Sequence, residues 1–339
     1  MEQNEQMPLG DRQKFYEKTT ERVIDPSQYI IVRIDGHKFS KFTKGFNKPF
    51  DEVLSTAMIE TTKELVKRFN AVTGYTQSDE ITLLIPPEFN TIKTPSSGVF
   101  RYTGDNYIAQ DKTSGKEFTV CFSVDDDSFD DMVFDGDQPN MDSFIFFDEE
   151  TKKEHIIDEK ELYSGKYNFF KEVKQNNQVF GGRVRKIESL GAAYATVRFN
   201  AHLRSLFMQA GIEKEEKLDV AYFDAKAFGV PDKYEAFNSV LWRCRDCEKN
   251  SRSMFAQAYC SHKSLLNKTG EEQVGYCLET TGNDWNKIED KYKYGTFIKN
   301  ESYVKETENG TAPRTRLVEV AQKLTFSDEN VEFLLSKVI

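Results

Sequence analysis

Tyr29-Ile-Ile-Val-Arg-Ile-Asp-Gly36 decides the fold, because it is an apolar, β-branched run that closes on a carboxylate and a turn residue. Helical spacing follows over residues 49–69, where Val53, Leu54, Met58, Leu65 and Phe69 share one broad face. Pro49 suits a first helical turn, and Asp51 and Glu52 stand near the positive end of the helix dipole. Residues 71–77 and 80–85 read as two short strands separated only by Ser78-Asp79, which is hairpin spacing, and Pro86-Pro87 stops the second.

Beyond residue 180 the pattern resumes. Residues 183–206 read as a second long helix whose Gly191, Ala192, Ala193 and Ala195 permit close packing on a sheet, and residues 218–228 read as a strand before Pro231. With residues 88–180 set aside, the order is strand, helix, strand, strand, helix, strand, the ferredoxin-like β-α-β-β-α-β unit of an α+β fold. The expected organisation is a catalytic domain from residues 1–87 and 181–230, an insertion at 88–180, and a mainly helical region at 231–339 with loops and short strands after residue 268.

Charge singles out the insertion. The chain carries a formal net charge of -10, and residues 88–180 hold 20 acidic and 10 basic side chains against 36 of each elsewhere. Residues 125–150 contain 11 carboxylates and neither Lys nor Arg, a composition that fits a solvated acidic face better than a calcium site. Its aromatic clusters at 118–122 and 144–147 point to partial folding. The balanced remainder leaves room for a locally basic RNA surface.

No run approaches the roughly 18 apolar residues of a membrane helix, the polar N-terminus lacks an apolar signal core, and five cysteines form no disulfide framework. A cytoplasmic protein without a membrane partner is the expectation. The Gly-x-x-x-x-Gly-Lys-Ser/Thr phosphate loop is absent, which argues against a Walker-type ATPase.

In the proposed fold the end of the first strand lies beside the hairpin, so Asp35 faces Asp79 and Glu80. Three carboxylates that close repel one another unless a divalent cation neutralises them. Mg²⁺ held by one or two carboxylates with substrate phosphates is the usual arrangement in nucleotidyl transfer. Asp35-Gly36 and Ser78-Asp79 are also ordinary turn pairs, and either alone would carry only that meaning. Their coincidence in one fold favours the metal reading.

Arg33-Ile-Asp-Gly36, Phe39-Ser-Lys-Phe42, Asn47-Lys48-Pro49 and Gln77-Ser-Asp-Glu80 resemble the tRNA-His guanylyltransferase family of 3′-to-5′ nucleotide polymerases, whose palm is similar to that of polymerases and nucleotide cyclases. The resemblance continues through Phe223-Asp-Ala225, Asn238, Trp242-Arg243, Asp246, Asn250, Gly295-Thr296 and Arg314-Thr-Arg316. It implies that Asp35, Asp79 and the Gly36 carbonyl hold two Mg²⁺ ions, with Asp35, Asp79 and Glu80 catalytic. It also implies that Gly36, His37, Lys38, Phe39 and Ser40 wrap a nucleoside triphosphate, ATP or GTP, with Lys48, Ser78, Arg183 and Lys186 on its phosphates. Arg183 and Lys186, three apart, share a helix face on this reading. Arg243, Asn250 and Lys263 are the residues implied for tRNA, and a homotetramer is the family's common assembly.

Glu248-Lys-Asn-Ser251 stands where eukaryotic members carry His-Ile-Asn-Asn, and Ser261-His-Lys263 is similar to the guanylyltransferase-like branch. The implied activity is therefore template-dependent repair of 5′-truncated tRNA. Guanosine addition to tRNA-His, nucleotide cyclisation and non-catalytic tRNA binding stand as the alternatives. Lys226 replaces the usual Arg after Phe-Asp-Ala, and the two are not equivalent at a bidentate contact. Cys244-x-x-Cys247 with Cys260 and His262 admits a zinc reading, but the pair falls on an expected helix and no second C-x-x-C follows, which favours bystander thiols. His202 reads as packed or surface-exposed.

Overall fold

Alternate side chains of β1 (Tyr29–Gly36) enter two different cores: Ile30, Val32 and Ile34 one, Ile31 the other. A central strand that is buried on both faces must be covered by helices on both, and this sets the architecture. The structure is a computed structural model that describes residues 8–96, 106–122, 143–307 and 310–339. Carboxylates 125–142 of the acidic run lie outside the described residues.

Before β1 comes α1 (Leu9–Lys18), and after it α2 (Phe39–Phe42), α3 (Glu52–Phe69), β2 (Thr73–Gln77) and β3 (Glu80–Ile85). The inserted strands are β4 (Phe89–Ser96), β5 (Tyr107–Asp111), β6 (Glu117–Phe122), β7 (Ser143–Asp148), β8 (Lys153–Asp158) and β9 (Tyr167–Asn176), with α4 (Glu159–Leu162) before the last. Then follow α5 (Val184–Ala210), β10 (Phe223–Val230), α6 (Lys233–Tyr259), α7 (His262–Leu265), α8 (Gly270–Thr281) and α9 (Asp290–Tyr294). A hairpin of β11 (Thr296–Thr307) and β12 (Gly310–Val320) precedes α10 (Asp328–Leu335). The fold is α+β, with β1, α3, β2, β3, α5 and β10 in the expected succession.

Strand order in the main sheet is β10-β1-β3-β2-β11-β12, with every neighbouring pair antiparallel. On one face lie α3 and α5, which bury Leu65, Phe69, Ala195 and Phe199. Truncating either phenylalanine to Ala would cost roughly 3–5 kcal/mol. Glu64 on α3 ties the two helices together by receiving Arg198, the Tyr194 hydroxyl at 3.2 Å and His202 Nε2 at 2.9 Å. His202 is thus a packing residue. Asp51 caps α3 by accepting from Leu54 N–H at 3.0 Å, so Pro49 precedes the helix rather than opening it. The last palm strand begins at Phe223, not residue 218, because the Ala221 backbone is bonded to the Asn200 side chain of α5 rather than to a neighbouring strand.

The other face carries α6 and α10, whose Phe237, Val240, Leu241, Val331 and Leu334 pack over Ile31, Leu84 and Val230. The region after residue 268 differs from expectation, since it holds α8 and a long hairpin that extends the palm sheet. Only the hairpin's base, Thr296 to Lys299, is buried and bonded to β2, while its outer strands are charged and exposed. An apolar pattern that weak reads as short strands. At the base, the fully buried Lys299 donates from Nζ to Val72 O (3.0 Å), Thr73 Oγ1 (2.9 Å), Leu334 O (3.4 Å) and Ser336 O (2.6 Å), binding the end of α10 to the sheet.

Two compact units result: residues 1–88 with 176–339, and residues 89–175. Within the first, Asn177 N–H donates to Glu88 O at 2.9 Å, and the buried Gln178 amide donates to Gln28 O (2.7 Å) and Pro86 O (3.3 Å). The points where the insertion leaves and rejoins the palm are thereby fastened together. The second unit is an antiparallel sheet of order β4-β9-β5-β6-β7-β8 around Tyr107, Val120, Phe146 and Tyr167, with the buried Asp148 bonded to Lys116 at 2.6 Å. The described part of the acidic segment is therefore a folded sheet.

Candidate functional site

Antiparallel register places three carboxylates in one row. Asp35 lies opposite Asp224 on β10 and opposite Glu80 on β3. Side chains alternate along a strand, so Asp35 shares the face of Ile31, beneath α6. Asp79 adjoins the row from the Ser78-Asp79 turn, where Ser78 takes a positive φ of 51°. The turn is tied to the strand end by Gly36 N–H donating to Asp79 O at 3.1 Å. A side chain at residue 36 would collide with the Phe39 ring, so glycine is required for this close approach.

The electrostatics follow from crowding. Burial lifts the Asp79 carboxyl to about 6, and the neighbouring Asp35 carboxylate pushes in the same direction. Asp35 is raised by burial and then by Asp224, against the opposing pull of Arg33 and Arg243. Glu80 is pushed up by burial and held by Arg243, whose Nε donates to Oε1 at 2.6 Å and whose Nη2 bonds Oε2. Arg243 Nη2 also reaches Asp246 Oδ2 at 3.2 Å. This buried fork commits the Arg243 guanidinium to Glu80 and Asp246 in the chain without RNA. Asn250 Nδ2 donates to the same Asp246 oxygen at 3.2 Å, and Lys263 sits exposed on α7.

The expected nucleotide loop is only partly open. His37 N–H is committed to Tyr222 O at 2.9 Å, and its ring stacks on Tyr222 with centroids 4.8 Å apart. Phe39 points into the core against Phe42, Phe199 and Phe223, so its side chain is not a ligand contact. Lys38, with φ 55°, Ser40 and Lys48 are exposed, as is Ser78. Arg183 precedes α5 rather than sharing a helix face with Lys186, and its Nε donates to Phe180 O at 3.2 Å.

Burial raises the Cys244 thiol and lifts that of Cys247 to about 12, so neither is a thiolate near neutrality. Among the described residues no group of three or more His, Cys, Asp or Glu is arranged to hold a metal ion. The donor chemistry at Asp35 and Asp79 nevertheless suits a hard divalent cation, because two crowded carboxyls carry raised protonation that such an ion would relieve. The sequence assigned no role to Asp224. Counting the antiparallel register from Tyr29 against the following palm strand would have found it, had that strand's limits been known.

No helix among the described residues is long and apolar enough to cross a membrane. Residues 10–131 match the family model described as tRNAHis guanylyltransferase. An uncharacterized protein of Acanthamoeba polyphaga mimivirus is 28% identical over 339 residues, covering 97% of this chain and 90% of that protein. The tRNA(His) guanylyltransferase of Saccharomyces cerevisiae is 35% identical over 98 residues, covering 26% of this chain and 41% of the yeast enzyme. A bacterial tRNA(His) guanylyltransferase-like protein solved in complex with ATP superposes with a TM-score of 0.56 at 25% identity, covering 92% of this chain and 91% of that one. The resemblance read from the motifs is borne out.

Proposed function

We propose that this chain, a tRNA(His) guanylyltransferase-like nucleotidyltransferase, adds nucleotides to the 5′ end of tRNA and repairs 5′-truncated tRNA by copying the opposing strand. The observation that carries the reading is the carboxylate row. Register and one backbone bond bring Asp35, the adjacent Asp79 and Glu80, and Asp224 together from three distant stretches of chain.

In the proposed reaction the 3′-hydroxyl of an incoming nucleotide attacks the activated 5′ phosphorus of the tRNA and expels pyrophosphate, or AMP where the end is adenylylated. Asp35 and Asp79, with the Gly36 carbonyl, are the donors for Mg²⁺, which when bound lowers the pKa of the attacking hydroxyl and offsets charge on the leaving group. Glu80, gripped by Arg243, keeps the hairpin turn in register with the strand end. Lys48, Ser78, Ser40 and Lys38, all exposed, are the groups offered to triphosphate oxygens.

Purified protein, Mg²⁺, mixed nucleoside triphosphates and a labelled tRNA lacking its first nucleotide test the reading. The tRNA is supplied either with a 5′-triphosphate or with a 5′-monophosphate and ATP. A product one nucleotide longer, lost in Asp35→Ala and dependent on the opposing base, is expected. Cyclic nucleotide in its place, or RNA binding with no product, would overturn it.

A further inference from the structure

A second cross-strand row runs beside the carboxylates. Two positions back along β1, about 7 Å away, Arg33 lies opposite Lys226 on β10 and opposite Thr82 on β3. Period-two alternation puts Arg33 and Lys226 on the same sheet face as Asp35 and Asp224, so an anionic row and a cationic row lie side by side. Over the cationic row stands Trp242 of α6, with the Arg33 guanidinium 5.5 Å from its ring centroid. On the other side of its position in sequence, Arg243 is 4.6 Å from the same ring while it grips Glu80.

Trp242 remains 55% exposed. The other tryptophan, Trp285, is buried and bonds Ser251 Oγ at 3.0 Å. An indole held beside two guanidiniums and still 55% exposed offers ring surface to solvent, and such a surface suits a stacking partner. Arg33 and Lys226 supply positive charge at its foot, where a phosphate would sit. A flat π-face joined to a phosphate is the chemistry of a nucleotide within a strand.

We propose that Trp242, Arg33 and Lys226 seat the terminal nucleotide of the RNA, Trp242 stacking on its base and the two cations holding its phosphate, so that the 5′ end is presented to the carboxylate row. This deepens the nucleotidyl-transfer reading and rests on it. Trp242 is a positioning residue, since the bond-making groups belong to the other row. An RNA end fits better than a free nucleotide because Arg33 precedes Asp35 along β1, whereas the exposed Lys38 and Ser40 follow the strand end.

Intrinsic fluorescence tests the platform without chemistry. A tRNA acceptor-stem hairpin is titrated into the protein with nucleoside triphosphates omitted, and ATP is titrated separately. Quenching of emission by RNA is expected in the wild type and is expected to vanish in Trp242→Leu, because the buried Trp285 is out of reach. By an independent binding assay, Trp242→Leu should weaken RNA affinity about tenfold or more, Trp242→Tyr should keep most of it, and ATP affinity should be unchanged. Arg33→Gln should lower the salt slope of RNA binding by about one. RNA binding by Trp242→Leu equal to wild type would overturn the proposal, as would a loss confined to ATP. RNA binding that depends on Trp242 in a protein that extends no RNA would instead leave the platform standing and remove the transfer reading.

Discussion

Asp35 and Asp224 face each other across the β1–β10 ladder, a like-charge pair on adjacent strands, and Asp35 meets a second carboxylate, Glu80, on β3. Such a pair costs stability, and a bound cation, as proposed above, would offset that cost. Asp224→Asn should stabilise the protein in EDTA by about 0.5 kcal/mol, read by urea unfolding, and should raise the Mg²⁺ concentration needed for RNA extension several-fold. An unchanged Mg²⁺ dependence would place Asp224 outside the ion's surroundings.

Asp79 gives a pH signature. Its carboxyl titrates at about 6 in the folded chain against the ordinary 3.8, so between those values the folded state binds the extra proton. Stability without divalent ions should therefore fall as pH rises from about 4 to about 6 and stay low above. Asp79→Asn should be more stable than wild type near neutrality, by about 1–3 kcal/mol, with the difference gone by about pH 4. Protons and Mg²⁺ compete for this carboxylate, so the acid limb of the activity profile should lie below about 6 and move lower as the Mg²⁺ concentration rises.

Arg243 and Glu80 are both largely buried, with side chains 12% and 8% exposed. Removing one leaves the other charge unpaired, so Arg243→Met should cost about 3–5 kcal/mol. Adding Glu80→Gln should restore much of that loss. A double-mutant cycle by urea unfolding measures the coupling, and additive effects would contradict the fork.

Lys299 holds four oxygens at the junction of β2, β11 and α10. Lys299→Met keeps the volume and strands those acceptors, which should destabilise by about 2–4 kcal/mol. Hydrogen exchange should show the amides of α10 losing protection before those of β1.

The palm was legible because its signals are local and strong. The apolar run at β1, the amphipathic face of α3 and the two-residue hairpin each declare themselves within a few residues. Asp35, Asp79 and Glu80 came with them, since a strand end and a turn are positions that a pattern can locate. The partner of Arg243 was not legible for the opposite reason. Whether a guanidinium on a long helix meets RNA or a buried glutamate depends on which helix face the sheet covers. The β11–β12 hairpin was understated because only its first residues are apolar, and Asp224 was passed over because its meaning lies in register, which requires two correctly bounded strands.

Glu88 and Asn177 meet in a single backbone bond, with Gln178 clamping both ends from within. A loop whose ends are already joined is a socket. An insert whose own ends lie close together should leave the spacing of β3 and α5 unchanged, because the chain returns to where it left. A fluorescent domain grafted between residues 88 and 177 should therefore leave the carboxylate row undisturbed.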